Sequence, residues 1–304
     1  MTRLVTGGAG YIGADVLAAL RQAGNEVVVL DHLSTGDAAR VAEVRLVRGS
    51  VLDGELLTRV VRNHHITGVV HLAANKQVAE SVRRPLFYYR QNVEGLRVLL
   101  EAATSDGVTS FVFSSSAAVS GAPNVPVVEE DLECRPVNRY GRTKLVGEQM
   151  IEDIAGATEF RYVNLSYADV AGAAEPAPAG RGATNLVPMV FEDLSHRRTP
   201  RFFGDDHDPA DGPCAGLHPR RGCRLRPRSR CAGRPRGADH RPDRHHRRHG
   251  HLGGRLVCPG HRAPSSGRTP RVVASSRRLR AALEWEARYG AEAMVASVWA
   301  GRGR

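Results

Sequence analysis

The chain has 304 residues, enough to bury a substantial core, with a formal net charge of +11 and a pI near 10.1. A basic balance of this size suggests nucleic acid or an anionic membrane as partner only when the charge is spread over a folded surface. Here residues 213–270 hold 15 arginines, no lysine and only Asp239 and Asp243, so the remainder is mildly acidic and net charge identifies no partner.

The same segment contains Cys214, Cys223, Cys231 and Cys258 and has no Phe, Tyr, Trp, Ile or Met. No apolar run approaches the roughly 20 residues of a membrane span, and a glycine turn starting at Gly7 leaves no room for a signal peptide. The reading expects a cytoplasmic chain with no membrane association, in which disulfides do not form.

In chain order, "RLVTGGAGYIGADVLAALRQAG" predicts a short strand, a glycine turn, and a helix with Ile12, Val16, Leu17 and Leu20 on one face. "EVVVLD" predicts a fully apolar second strand ending in an acid. "VRLVRG", "GVVHLAA", "SFVFSSS" and "FRYVNLS" predict four more strands, with helices near 55–63, 86–105 and 138–155. Continuous apolar strands alternating with amphipathic helices specify an α/β fold, a doubly wound parallel sheet of Rossmann type over residues 1–165.

Residues 166–304 are expected to form a small C-terminal lobe. Its 168–211 part is loop-rich but still carries globular stretches such as "NLVPMVFEDL". Residues 213–270 have no helical or strand period, and four leucines with one valine cannot build a core, which predicts disorder there. Periodicity returns with Leu279, Leu283 and Trp285, then Met294, Val295 and Trp299.

Gly7, Gly10 and Gly13 form a GxxGxxG between strand and helix. Gly7 allows the tight turn, Gly10 lets the backbone approach a pyrophosphate on the helix N-terminus, and Gly13 allows close helix–strand packing. Asp31, ending the second strand, suits the adenosine ribose hydroxyls and repels a 2′-phosphate, which favours NAD over NADP. Tyr140 and Lys144, at i and i+4 of "YGRTK", share a helix face. A neighbouring ammonium favours phenolate, so Tyr140 is expected to exchange protons near neutral pH. The serines 114–116 end the strand that precedes this helix.

With "VTGGAGYIG", "VVVLDHLSTG", "VVHLAANKQVAESVRRPLFYYRQNVEG", "FVFSSSAAVSG" and "PVNRYGRTKLVGEQ" in place, the chain resembles the extended short-chain dehydrogenase/reductases, most closely the UDP-glucose 4-epimerase branch. The resemblance covers roughly residues 1–212 and 271–299, and the lysine of "LAANKQVAES" favours this branch over sugar dehydratases. It implies NAD as cofactor, bound by Gly7, Gly10, Tyr11, Ile12, Asp31, Ser50, Val51, Lys76 and Asn92. It implies Ser116, Tyr140 and Lys144 as catalytic residues, and a UDP-sugar bound near Asn185, Leu186 and Phe203. A homodimer is compatible with it. Ser120, Ser166, Ala168 and Asp169 depart from the pattern, and Asp169 puts a carboxylate where the branch offers an amide near the sugar diphosphate.

After "FFGDDHDPADG" the branch continues with a segment like VRDYIHVxDVA, whose arginine meets the nucleotide diphosphate, whereas this chain has "PCAGLHPRRGCRLRP". Read one base forward from Cys214, the codons for this stretch can spell VRDYIHVEDV. A compensated frameshift, opening near Pro213 and closing near Gly267 to Pro270, accounts for the arginines, the clustered cysteines and the missing aromatics together. Two other readings are weaker. A basic arm for nucleic acid lacks interleaved aromatics for stacking. A zinc site lacks short cysteine pairs, since the intervals are eight, seven and 26 residues.

Overall fold

The computed structural model describes residues 1–123, 125, 127–167, 170–171, 218–219, 255–257, 273–285, 293–294 and 296–297. The six expected strands are all present: β1 (Thr2–Thr6), β2 (Glu26–Asp31), β3 (Arg45–Arg48), β4 (Ile66–His71), β5 (Ser110–Ser114) and, further along, β7 (Arg161–Ser166). They lie side by side in the order β3-β2-β1-β4-β5-β7, every pair parallel. This is the order of a doubly wound dinucleotide-binding sheet, with the chain reversing direction of travel at β1.

The helices between these strands are α1 (Gly13–Gln22), α2 (Gly54–Asn63), α3 (Val78–Arg83), α4 (Pro85–Tyr88), α5 (Gly95–Ser105) and α6 (Arg139–Ala157). Asp53 caps α2 by accepting from Leu56 N at 2.9 Å, and Asn138 caps α6 by accepting from Gly141 N at 2.8 Å. One sheet face, carrying Leu4, Val69, Phe111 and Tyr162, buries against Leu57 of α2, Leu96, Leu99 and Leu100 of α5, and Ile151 of α6. The other face packs Val5, Val27, Val29 and Val70 against Leu17 of α1. Burial on both faces is why β2 reads as an unbroken apolar run.

The single helix expected over 86–105 is divided. Pro85 starts α4 after the non-helical Arg84, Tyr89–Glu94 is a π-helical turn, and α5 begins at Gly95. A π turn inserts one residue into the helical register and rotates the side chains that follow it. Asn92, in that turn, is consequently buried, where a regular period would leave a surface amide.

The remaining elements are short: β6 (Val127–Val128), β8 (Val170–Ala171), β9 (His218–Pro219), β10 (Arg255–Val257), β11 (Val273–Ala274) and α7 (Arg277–Leu283). β11 pairs parallel with β6, and Arg278 N at the start of α7 donates to the buried Glu130 carboxylate at 2.9 Å. The returning periodic sequence thus docks on a loop of the first 165 residues, through Leu279. Within residues 213–270, where the composition predicts disorder, two stretches are strands: β9 beside β8, and β10 as a seventh strand on β7. The rest of that segment lies outside the described residues. Val295 and Trp299 lie outside them too, while Met294 is buried.

Candidate active site

All candidate residues that the structure describes gather at the carboxyl ends of the strands, where a doubly wound sheet opens its ligand crevice. After β1 the chain turns through Gly7 at φ 72°, and a Cβ there would sit 2.6 Å from Ala73 N on the neighbouring crossover. Only glycine suits both demands. A Cβ on Gly13 would overlap the Gly8 carbonyl, so the start of α1 lies directly against the turn. Ile12 stands at the N-cap without a side-chain cap, leaving the first-turn N–H groups of α1 to an anion. Tyr11 and Ile12 are both half-buried along this turn, and a Cβ on Gly10 would approach Gly7 O to 3.1 Å.

Asp31 is locked onto the same turn. One carboxylate oxygen accepts from Ala9 N at 3.0 Å and the other from Leu33 N at 2.8 Å, while Gly49 N donates to the Asp31 carbonyl at 3.1 Å. The last contact draws the loop after β3 beside β2. There Ser50 Oγ accepts from Leu52 N at 3.2 Å, and Val51 packs into the core opposite Gly95.

Beyond β4, Asn92 fixes the loop that carries Lys76. Its Oδ1 accepts from Asn75 N at 2.8 Å, and its Nδ2 donates to Asn75 O at 2.9 Å and to Thr143 Oγ1 at 3.0 Å. Both amide hydrogens of Asn92 are thus used on protein groups, so this side chain shapes the loop and ties it to α6. Lys76 itself is exposed beside it.

Ser116 Oγ accepts from Ala118 N at 3.2 Å, and the Ser116 hydroxyl lies near enough to Tyr140 to favour its phenolate. Tyr140 N donates to Ser81 Oγ at 3.2 Å, which anchors the first turn of α6 on α3. Lys144, one turn on, is buried and donates from Nζ to the Ser114 carbonyl at 2.6 Å; the ammonium lies 4.8 Å from the Phe113 ring centroid and 6.0 Å from that of Tyr140.

Electrostatics differ from the expectation for this pair. Burial pushes the Tyr140 phenol up to about 12, with the nearby Ser116 hydroxyl acting in the opposite direction. Burial also pulls Lys144 down to about 7, opposed by the negative charge of Glu148. Desolvation outweighs pairing: Lys144 is buried and Tyr140 half-buried beside the end of the serine strand. Tyr140 therefore holds its proton at neutral pH in the protein's own field, and its ionisation depends on further positive charge arriving beside Lys144.

His71, at the end of β4, was not among the sequence candidates. It shares a 2.7 Å hydrogen bond between Nδ1 and Thr6 Oγ1, stacks on Phe113, and is pushed down to about 3 by burial and then by Lys144. The unfolded chain takes up this proton near pH 6.5 and the folded one does not, so His71 favours the fold fully above pH 6.5 and progressively less as pH falls toward 3. Urea titrations at pH 7 and pH 4 are expected to show a loss of about 3 kcal/mol from this residue, largely abolished in His71→Asn. Glu148, on α6 four residues after Lys144, was missed for want of any motif beyond that spacing.

Asp169, Asn185, Leu186 and Phe203 lie outside the described residues, as does Ala168. Ser166 is described: it is buried at the end of β7, and its Oγ donates to Glu148 Oε1 at 3.2 Å. Among the described residues no cluster of three or more metal-ligating side chains occurs, and no helix is long and apolar enough to cross a membrane.

Comparison with known proteins agrees with this geometry. A UDP-glucose 4-epimerase of Azospirillum brasilense is 45% identical over 219 residues, spanning 69% of this chain and 62% of that protein. The chain thus matches less than two thirds of the relative's length. A crystal structure of a UDP-glucose 4-epimerase superposes with a TM-score of 0.81 at 28% identity, covering 99% of this chain and 97% of the other. The UDP-glucose 4-epimerase of Brucella ovis in complex with NAD gives 0.81 at 26% identity, covering 99% and 98%. The profile of one family matches residues 3–210, most of the chain and all of the sheet up to β7, and the chain belongs to that NAD dependent epimerase/dehydratase family.

Proposed function

We propose that the chain is an NAD-dependent epimerase acting at C4 of a UDP-hexose, interconverting the glucose and galactose forms. One observation carries the reading: Ser116, Tyr140 and Lys144 converge at the carboxyl edge of the sheet beside a glycine turn closed by Asp31. The turn fits a dinucleotide, since Gly7 and Gly13 let the backbone close tightly against Ala73 and Gly8, and the first turn of α1 has no side-chain cap competing for its N–H groups. When bound, NAD supplies a hydride acceptor that returns the hydride within each cycle.

The roles assigned to the protein's own residues are read from these contacts together with the sequence resemblance. Gly7, Gly10, Tyr11, Ile12 and Gly13 would hold the pyrophosphate, Asp31 the adenosine ribose, and Ser50, Val51, Lys76 and the loop set by Asn92 would surround the rest. Tyr140 accepts the proton of the sugar O4 hydroxyl and later returns it. Ser116 hydrogen-bonds the same oxygen, which keeps the C4 carbonyl in place while the sugar turns over and presents its other face. Lys144 would anchor the nicotinamide ribose, and its ammonium favours the phenolate. Asn185, Leu186 and Phe203 are assigned to the UDP-hexose, with Asp169 near its diphosphate, on sequence resemblance alone. A cytoplasmic homodimer is compatible with this reading.

In this chain the segment that would bring an arginine to the diphosphate is replaced by the arginine-rich stretch, so NAD binding is expected to survive while epimerisation is weak. The test is to release and quantify NAD from the purified protein and to follow UDP-galactose conversion on the same sample. Close to one NAD per chain with little turnover is the expected result. A chain without NAD would overturn the cofactor assignment, and rapid turnover would overturn the expected impairment. A panel of UDP-sugars separates C4 epimerisation of a hexose from other nucleotide-sugar chemistry.

A further inference from the structure

The active site contains one buried acid that the proposed chemistry does not use. Glu148 is 3% exposed, on the same face of α6 as Lys144 and one turn further along. Its Oε1 accepts from two buried hydroxyls, Ser115 Oγ and Ser166 Oγ, the latter at 3.2 Å. Ser115 lies between Ser114, whose carbonyl receives the Lys144 ammonium, and Ser116, whose hydroxyl acts on Tyr140. Ser166 ends β7, next to Tyr167, whose hydroxyl meets Ser114 Oγ. A single carboxylate oxygen therefore ties the serine strand end to the neighbouring strand and faces the lysine from its own helix.

A buried ammonium is costly without a counter-charge. Among the described residues, the other groups in contact with Lys144 do not supply one. They are the Ser114 carbonyl and Phe113 ring of β5, His71 of β4, and Tyr140 of α6. Glu152 and Glu148 of α6 both act on Tyr162 of β7, but of the two carboxylates only Glu148 acts on Lys144. We propose that Glu148 is a positioning residue of the active site: it is the counter-charge that keeps Lys144 an ammonium aimed at Ser114 and Tyr140, and it clamps Ser115 and Ser166 on either side. The inference deepens the reading above and rests on it for the role of Lys144.

The chain has only two lysines, Lys76 and Lys144, so labelling with [13Cε]lysine yields two signals, assigned with Lys76→Arg. Lys144 is expected to titrate near pH 7 in the unaltered protein. In Glu148→Gln, which keeps an acceptor for both serines, the midpoint is expected to fall by at least about one pH unit, a tenfold loss of ammonium. In Glu148→Asp it is expected to stay within about half a unit. An unmoved midpoint in Glu148→Gln overturns the proposal. If Glu148→Gln does not fold, Glu148→Gln combined with Lys144→Met decides: folding restored by neutralising both partners supports the pairing, and continued failure shows a purely structural role. NAD content measured on the unaltered protein reports separately on the proposed function, because the lysine titration needs neither cofactor nor turnover.

Discussion

Rewriting codons 213–270 one base forward is expected to raise UDP-galactose epimerisation roughly thirty- to several-thousand-fold while leaving NAD content unchanged. The segment as translated has 15 arginines and no aromatic residue, whereas the shifted codons from Cys214 can spell VRDYIHVEDV. The arginine gained falls where a nucleotide diphosphate would be met by a charge-assisted, bidentate hydrogen bond. Supplying the missing partner of such a charge pair is worth about 2–5 kcal/mol, which sets the range of the expected gain.

The backbone gives a second reason. His218–Pro219 forms β9 against Val170–Ala171, and proline there removes a ladder donor from the strand. The shifted codons place isoleucine or threonine, then histidine, across this stretch, restoring the N–H. Sequencing the DNA across residues 205–275 comes first: if the shifted frame does not encode the motif, there is no lost arginine to restore. If it does and the rewritten chain gains nothing, the impairment lies elsewhere, with Asp169 and Ser166 the next positions to revert.

The first 165 residues were legible because each signal there is local. β2 is apolar at every interior position since both faces are covered, and Gly7, Gly10 and Gly13 mark the turn by a backbone demand that no other residue meets. Tyr140 and Lys144 were visible as an i, i+4 pair. Less legible were features set by three-dimensional context. The π turn at Tyr89–Glu94 has no compositional mark, so Asn92 read as a surface amide although it is buried and pins Asn75. The direction of the Tyr140 shift was misread because sequence shows that a lysine is near and not how far both groups are removed from water. Glu148 escaped for the same reason: a glutamate in a helix reads as solvated until Ser115 and Ser166 are seen to converge on it. In the C-terminal lobe, strand β10 arose from "RLV" in a segment with no apolar period, because the edge of β7 offers hydrogen-bonding groups to any passing backbone.

In the chain with the rewritten segment, Tyr140→Phe is expected to lower kcat for UDP-galactose by about 10²–10⁴, the usual worth of a positioned acid–base group. The substitution removes one hydroxyl, on which the Ser116 hydroxyl acts, and keeps the ring that lies 6.0 Å from the Lys144 ammonium. NAD content and KM are therefore expected to change little, the pattern of an interaction made chiefly in the transition state. The pH profile separates this role from a merely structural one. The phenol of Tyr140 is raised to about 12 by burial, and only positive charge beside it can bring its proton into play near neutrality. Turnover of the Tyr140-containing enzyme is thus expected to fall on the alkaline side as Lys144, held near 7, loses its charge. A bound positive charge on the cofactor would move that limb upward without removing it. The residual activity of Tyr140→Phe is expected to lack the limb, since no phenol remains for the ammonium to activate. A Phe variant that retains both its turnover and its alkaline limb would assign the proton transfer to another group, with Ser116 the only other hydroxyl placed to perform it among the described candidates.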